Sequence, residues 1–243
     1  MPENFYEQEK HLEQGLTGES LGRYTSKTFL LMFLGLLVTF GVAVFFSTTR
    51  AGLMTFYNAV TYIPAFHLIL LIAQLAVAIG MTAAIHKITP ATATVFFFLY
   101  SALTGVTFTF YFIVFELPSL ILVFAATALY FGGMALFGYF TNIDLSRMRA
   151  ILLGGLIFLI LANLLMMFIP GLEMVDQVIC TIGVVIFLAY TAYDVQKIRA
   201  FYQAYQGDAA MLKKASVFSA LQLYLDFVNL FVYLLRIFGK RRN

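Results

Sequence analysis

Seven windows of about twenty consecutive, mostly apolar residues run through this chain, and they leave few folds open to it. They fall at Thr28–Thr48, Ile63–Ile85, Ala91–Phe115, Ser119–Phe140, Ala150–Ile169, Asp176–Gln196 and Ser216–Phe238. Each is long enough to cross a hydrocarbon layer of about 30 Å. Inside lipid every backbone N–H and C=O needs a partner from the protein, so each window must be helical. The alternating pattern of a membrane barrel is absent. With 62% hydrophobic and 11% charged residues and a mean hydropathy of +0.91, a soluble core is excluded. The expectation is an all-α integral membrane protein, a bundle of seven transmembrane helices with the bilayer as its first partner.

The spans are joined by short connections, with Pro64, Pro90, Pro118 and Pro170 at or near their ends, where a missing N–H does least damage. One compact bundle with no second domain is expected over residues 28–238. A polar N-terminal tail (1–27) precedes it and a basic tail (239–243) follows. The first tail carries Glu3, Glu7, Glu9, Glu13 and Glu19 and lacks a basic start and an apolar centre, so it reads as retained polar sequence rather than a signal peptide.

Orientation follows from Lys and Arg near the span ends. With the N-terminus cytoplasmic, the inner side collects Lys10, Arg23, Lys27, Lys87, Arg147, Arg149, Lys197, Arg199, Lys213 and Lys214, while the outer loops hold only Arg50. The Asp144–Arg149 and Lys197–Lys214 loops should therefore both be cytoplasmic. Arg236, Lys240, Arg241 and Arg242 run against the rule, because seven full spans put them outside. Either the last span tolerates an outer basic end, or it dips in and returns. Seven full crossings are preferred, since Ser216–Phe238 is long enough. A net charge of +3 spread this way implies no nucleic acid.

Two aspartates, Asp194 and Asp226, lie inside the last two spans without an adjacent cation in sequence. A carboxylate there costs roughly 2.5–3.5 kcal/mol on insertion scales, so such residues face protein or a water path and mark function. In the last span Ser219, Gln222, Asp226, Asn229 and Tyr233 recur at intervals of three and four and share a helix face. Gly183, Tyr190, Asp194 and Lys197 form a similar stripe on the sixth span, and Tyr100, Thr104, Thr107 and Tyr111 on the third. Three such stripes suggest an interior path lined by Tyr100, Thr104, Thr107, Tyr111, Tyr190, Gln222 and Asn229. Interhelical hydrogen bonding is the plain alternative for the Tyr and Thr residues.

Other features carry less. Ser101 with Gly105, and Ala128 with Gly132, are spaced for close helix packing. Asp144 precedes a helical run and should cap it. Glu116, beside Pro118, reads as a wet surface carboxylate. His67 and His86 lie near span ends with no third ligand at metal spacing, which argues against structural zinc. The lone Cys180 can form no intrachain disulfide.

The segments YSALTGVTFTFYFIVF, GYFTNIDLS, IGVVIFLAYTAYDVQKI and ALQLYLDFVNLFVYLLRIFG resemble, in order and spacing, the Bax inhibitor-one (transmembrane Bax inhibitor motif) family, most closely its bacterial inner-membrane branch. The resemblance runs from about Leu21 to the C-terminus. It implies a seven-helix fold with a central last helix and a pH-sensitive calcium leak, with no enzymatic activity and no cofactor. It also implies that Asp194 and Asp226 form a proton-sharing pair that gates the path and meets calcium transiently. Some members latch this pair with an arginine in the second span; here Ile63–Ile85 has none, only His67 near its start.

Two carboxylates about 4 Å apart at an effective dielectric near 20 repel by roughly 4 kcal/mol, enough to move the second protonation step from roughly 4 towards 7. The pair would titrate as one unit near neutrality. A shared proton ties the two helices together, and a fully ionised pair repels or attracts a hard cation such as calcium, for which nearby oxygens could complete a loose shell. An intramembrane aspartyl protease is disfavoured because Asp226 follows Leu-Tyr-Leu rather than Gly-x-Gly, and a retinal protein because the last span has no lysine. Two alternatives stay open. One is a non-enzymatic regulator that binds another membrane protein, such as a quality-control protease. The other is a proton-coupled cation transporter.

Overall fold

The computed structural model describes residues 19–166, 171 and 173–242. Among them the chain forms eight α-helices: α1 (Leu21–Thr48), α2 (Arg50–Tyr62), α3 (Phe66–Ala83), α4 (Pro90–Val114), α5 (Leu117–Phe140), α6 (Arg149–Met166), α7 (Glu173–Tyr205) and α8 (Ala209–Phe238). A 3-10 turn, Leu145–Met148, leads into α6. All except α2 are long and apolar enough to cross a membrane, which gives the seven spans expected. Glu3, Glu7, Glu9, Glu13, Lys10 and Pro170 lie outside the described residues.

Several boundaries differ from expectation for identifiable reasons. Helix α1 begins at Leu21, inside the stretch read as tail, because Ser20 caps it by accepting from Arg23 N–H. Residues 50–62, read as a connection, form α2: Thr49 caps it by accepting from Gly52 N–H at 3.0 Å. At 13 residues α2 is too short to cross the bilayer. The supposed Lys197–Lys214 loop shrinks to residues 206–208. Helix α7 runs on to Tyr205, and Asp208 caps α8 through the N–H groups of Ala210 and Met211. Lys197, Arg199, Lys213 and Lys214 thus ride on helix extensions. Asp144 does cap its turn, accepting from Ser146 N–H at 2.9 Å, and these hydrogen bonds hold its carboxyl below its ordinary value.

Pro90 opens α4, Pro118 sits in the first turn of α5, and Pro64 precedes α3, all where a helix can do without the N–H. The turn before α7 passes through Gly171 at φ +88°, a conformation that favours glycine.

Burial is the reverse of a soluble protein. Leu129, Ile151 and Leu122 are more than 70% exposed, as lipid-facing side chains are. The spans of α3 and α6 are only 11% buried, whereas that of α8 is 67% buried, the most enclosed of the seven. The last helix is therefore the one most covered by protein, in keeping with what the resemblance implied.

By packing, the chain divides into two compact units. The division runs through α4, α7 and α8, which are long continuous helices, so sequence windows gave no sign of it. The first unit comprises residues up to Thr109 with Lys197–Leu221. Here α4 approaches α1 closely: a Cβ on Gly105 would lie 2.7 Å from Thr39 O, and Thr39 donates to Ser101 O at 2.9 Å. The Ser101 and Gly105 pair thus packs as expected. The second unit comprises Phe110–Gln196 with Gln222 onward. In it Gly138, not the Ala128 and Gly132 pair, makes the close approach: its Cβ would lie 2.3 Å from Ala192 O, while around Gly132 nothing lies within 4 Å. Ala128 is exposed, on the lipid side of α5.

Candidate functional site

Helices α7 and α8 carry the two aspartates, both in the second unit. Asp194 is 5% exposed and Asp226 3%. Tyr190, one turn before Asp194 on the same face of α7, interacts electrostatically with both carboxylates. Tyr190 therefore marks a common neighbourhood for two acidic groups 32 residues apart in sequence. Its ring packs on Phe187 at 5.9 Å, and Phe187 stacks on Tyr233 of α8, also at 5.9 Å.

Gly183 explains how α8 comes so near. A Cβ there would meet three ring carbons of Tyr233 at 2.7–2.8 Å, so the absent side chain makes room for the phenol against α7. The ring's hydroxyl accepts from Asn163 Nδ2 at 3.1 Å. On α8 the polar stripe is real but is no longer distinctive. Tyr224 and Leu235, on the opposite face, are as enclosed as Asp226.

The other expected lining residues separate by unit. Tyr100, Thr104 and Thr107 belong to the first, and Tyr111, Tyr190, Gln222 and Asn229 to the second. Thr104 donates to Tyr100 O at 3.0 Å, and Asn229 donates to Leu225 O at 2.8 Å, both within their own helices. Thr107 accepts from Gln74 of α3 at 2.7 Å, so for it the interhelical hydrogen bond describes the geometry. His67 is exposed in the first turn of α3, and α3 contains no arginine. Among the described residues no three His, Cys, Asp or Glu side chains converge as a metal cage. Two carboxylates can still meet a passing cation without storing it.

Gln196, two residues beyond Asp194, has a positioning role that spacing did not disclose. It accepts from Leu145 N–H at 2.9 Å and donates to Ile143 O at 2.7 Å, tying α7 to the turn that enters α6.

A second polar cluster went unread in the sequence. Arg236, near the end of α8, forms an ion pair with Asp176 of α7 and donates to Asn163 Oδ1 of α6 at 2.7 Å. Its guanidinium lies 5.8 Å from the Tyr233 ring centre, and Cys180 Sγ is 4.0 Å from Asp176 Oδ2. Lys240 pairs with Glu116 at 3.1 Å, so Glu116 is not simply a wet surface group. The following backbone is pinned to the start of α5. Glu116 N–H donates to Lys240 O, Arg242 N–H to Val114 O, and Lys240 N–H to Ser119 Oγ, at 2.8–3.0 Å. The signal for this clasp was present: an arginine in an apolar segment needs an acid at its own depth, and Asp176 heads the neighbouring span.

The clasp also resolves the last span. Helix α8 is uninterrupted for 30 residues, about 45 Å, and its end lies with the α4–α5 turn. It crosses fully and does not return. Of the four basic residues that run against the orientation rule, Arg236 and Lys240 are paired with acids.

Comparison with known proteins agrees with this architecture. The model of a family described as "Inhibitor of apoptosis-promoting Bax1" matches residues 21–243. The Inner membrane protein YbhL of Escherichia coli strain K12 is 41% identical over 224 residues, covering 91% of this chain and 93% of its own. A protein of Borreliella burgdorferi is 38% identical over 225 residues, covering 91% and 93%. One of Rickettsia prowazekii is 33% identical over 225 residues, covering 93% and 92%. A match of this extent, on a seven-span helical fold, shows that the chain belongs to the Bax inhibitor family of integral membrane proteins.

Proposed function

We propose that the protein is a pH-sensitive leak path for calcium, gated by a proton shared between Asp194 and Asp226. The observation that carries this reading is that two enclosed acidic side chains, on the last two spans, both act on the one phenol of Tyr190. With one proton between them, a carboxyl-to-carboxylate hydrogen bond holds α7 against α8. Loss of that proton leaves two like charges, which push the helices apart or draw in a divalent cation. Gly183, with the Tyr233 ring against it, provides a close seam that such repulsion would open.

Membership of the Bax inhibitor family supports the reading, as does the name of the Escherichia coli relative for a bacterial inner-membrane location. The distribution of Lys and Arg supports a cytoplasmic N-terminus. The decisive experiment is calcium entry into liposomes containing only the purified protein, measured as a function of pH. Asp226→Asn should shift or abolish the pH dependence, and adding Asp194→Asn should change little more, because the partner is already gone. Additive effects of the two substitutions would refute a shared proton. No flux at any pH would refute the leak and favour a regulator of another membrane protein. Saturable exchange would favour a proton-coupled transporter.

A further inference from the structure

Among the described residues, α2 is the helix too short to cross the bilayer, and its 13 residues present three sides of different character. On the first side Gly52 and Phe56, one turn apart, are buried. On the second, Leu53, Met54 and Tyr57 stand at positions i, i+1 and i+4 and are 45%, 63% and 67% exposed. The third carries the exposed polar residues Thr55, Asn58 and Tyr62. We infer that α2 is an interfacial anchor, whose second side is seated in lipid at the boundary between headgroups and acyl chains while its third side faces water. The inference does not depend on the calcium path.

Two ring contacts set the depth. The Phe56 ring, midway along α2, lies 6.4 Å from Phe46 in the last turn of α1 and 6.2 Å from Phe66, the first residue of α3. A Cβ on Gly52 would collide with Phe45 O, so the first turn of α2 also rests on the end of α1. The middle of α2 therefore stands where one span ends and the next begins. That level is the membrane surface, not the membrane centre.

Lipid is the partner that this level supplies. The lipid-facing surface continues on both sides of α2, because Val44 and Phe45 of α1 and Leu68 and Ile69 of α3 are exposed next to its two ends. Helices that lie in a membrane surface have this pattern of an apolar side beside a polar one. Tyr57 suits the boundary, with an apolar ring and a polar hydroxyl. Arg50, three residues before Leu53 and four before Met54, shares their side; its stem can lie along lipid while the guanidinium reaches the headgroups. The helix contains no Asp or Glu to oppose such a seat. Seated there, α2 holds the end of α1 and the start of α3 at one level in the bilayer.

The chain has no tryptophan, so a single one introduced into α2 reports its own surroundings. Met54→Trp, Tyr57→Trp and Asn58→Trp, each in the full-length protein, are reconstituted at low density into phosphatidylcholine vesicles. Their fluorescence is quenched either by phosphatidylcholine brominated near the top of its acyl chains or by aqueous iodide. Bromolipid should quench Met54→Trp and Tyr57→Trp about threefold more strongly than Asn58→Trp, and iodide should reverse the order. Equal quenching of the three by bromolipid, or stronger iodide quenching at Met54 and Tyr57 than at Asn58, overturns the lipid seat. Shielding of Met54 and Tyr57 from both quenchers, as a second copy of the chain would give, overturns it too. Should Met54→Trp or Tyr57→Trp fail to fold, Leu53→Trp takes its place and the same contrast decides.

Discussion

Gly138→Ala tests the seam that sets α7 in place. The added Cβ would lie 2.3 Å from Ala192 O, 2.8 Å from Ala192 Cα and 2.9 Å from Ala192 C. All three are backbone atoms of a helix and cannot swing aside, so α5 and α7 must separate by about 1 Å to restore ordinary contact. A gap of that size forfeits roughly a quarter to a half of the dispersion energy across the seam, and overpacking of this kind costs about 1–3 kcal/mol. Replacing a helical glycine by alanine returns up to about 1 kcal/mol of backbone entropy. With the full return the net loss is about 0–2 kcal/mol, or a fall in Tm of up to roughly 8 °C for a chain of this size. Gly132→Ala is the internal control: nothing lies within 4 Å of its added Cβ, so it keeps the entropic gain and should leave Tm unchanged or higher. Thermal unfolding of both variants in the same detergent measures the contrast. Equal shifts of the two, or a rise for Gly138→Ala, would refute the close approach of α5 and α7.

Asp176→Asn and Arg236→Gln, with their double variant, should show a coupling of about 1 kcal/mol in thermal unfolding, modest because both side chains are about a quarter to a third exposed; strict additivity would show that the clasp does not contribute. On the proposed reading, with no arginine in α3, calcium leak should be appreciable at neutral to mildly alkaline pH, and His67→Ala should change it little. A flux negligible at alkaline pH and rising only on acidification would mean that protonation opens the path. For topology, single cysteines at Ser146 and Gln206, introduced after Cys180 is replaced, should resist an impermeant thiol reagent in sealed cells. Efficient modification of both from outside would reverse the orientation.

The spans were legible because lipid imposes a local rule. A backbone that cannot hydrogen-bond to its solvent must be helical, and twenty apolar residues announce that without reference to the rest of the chain. The same rule made Asp194 and Asp226 conspicuous, since a carboxylate in such a window is costly wherever the helices pack. Helix α2 escaped because its 13 residues are too few to announce a crossing. The ends of α1, α7 and α8 depend on single capping side chains, a signal weaker than the polar residues around them.

The sequence alone determined the class, the number of crossings and the acidic residues worth testing. Tertiary structure decided which face of each helix met protein and which met lipid. Gly132 and Gly138 look alike in sequence, yet only Gly138 lies against a backbone. Structure also decided that Arg236 finds Asp176 and Asn163, three helices supplying one cluster from positions 60 and 73 residues apart. No local pattern encodes such pairs, because they exist only once the helices have chosen their neighbours. The contact of the Tyr24 ring with Tyr202 has the same origin: it belongs to the packing of α1 against a helix that follows it by more than a hundred residues.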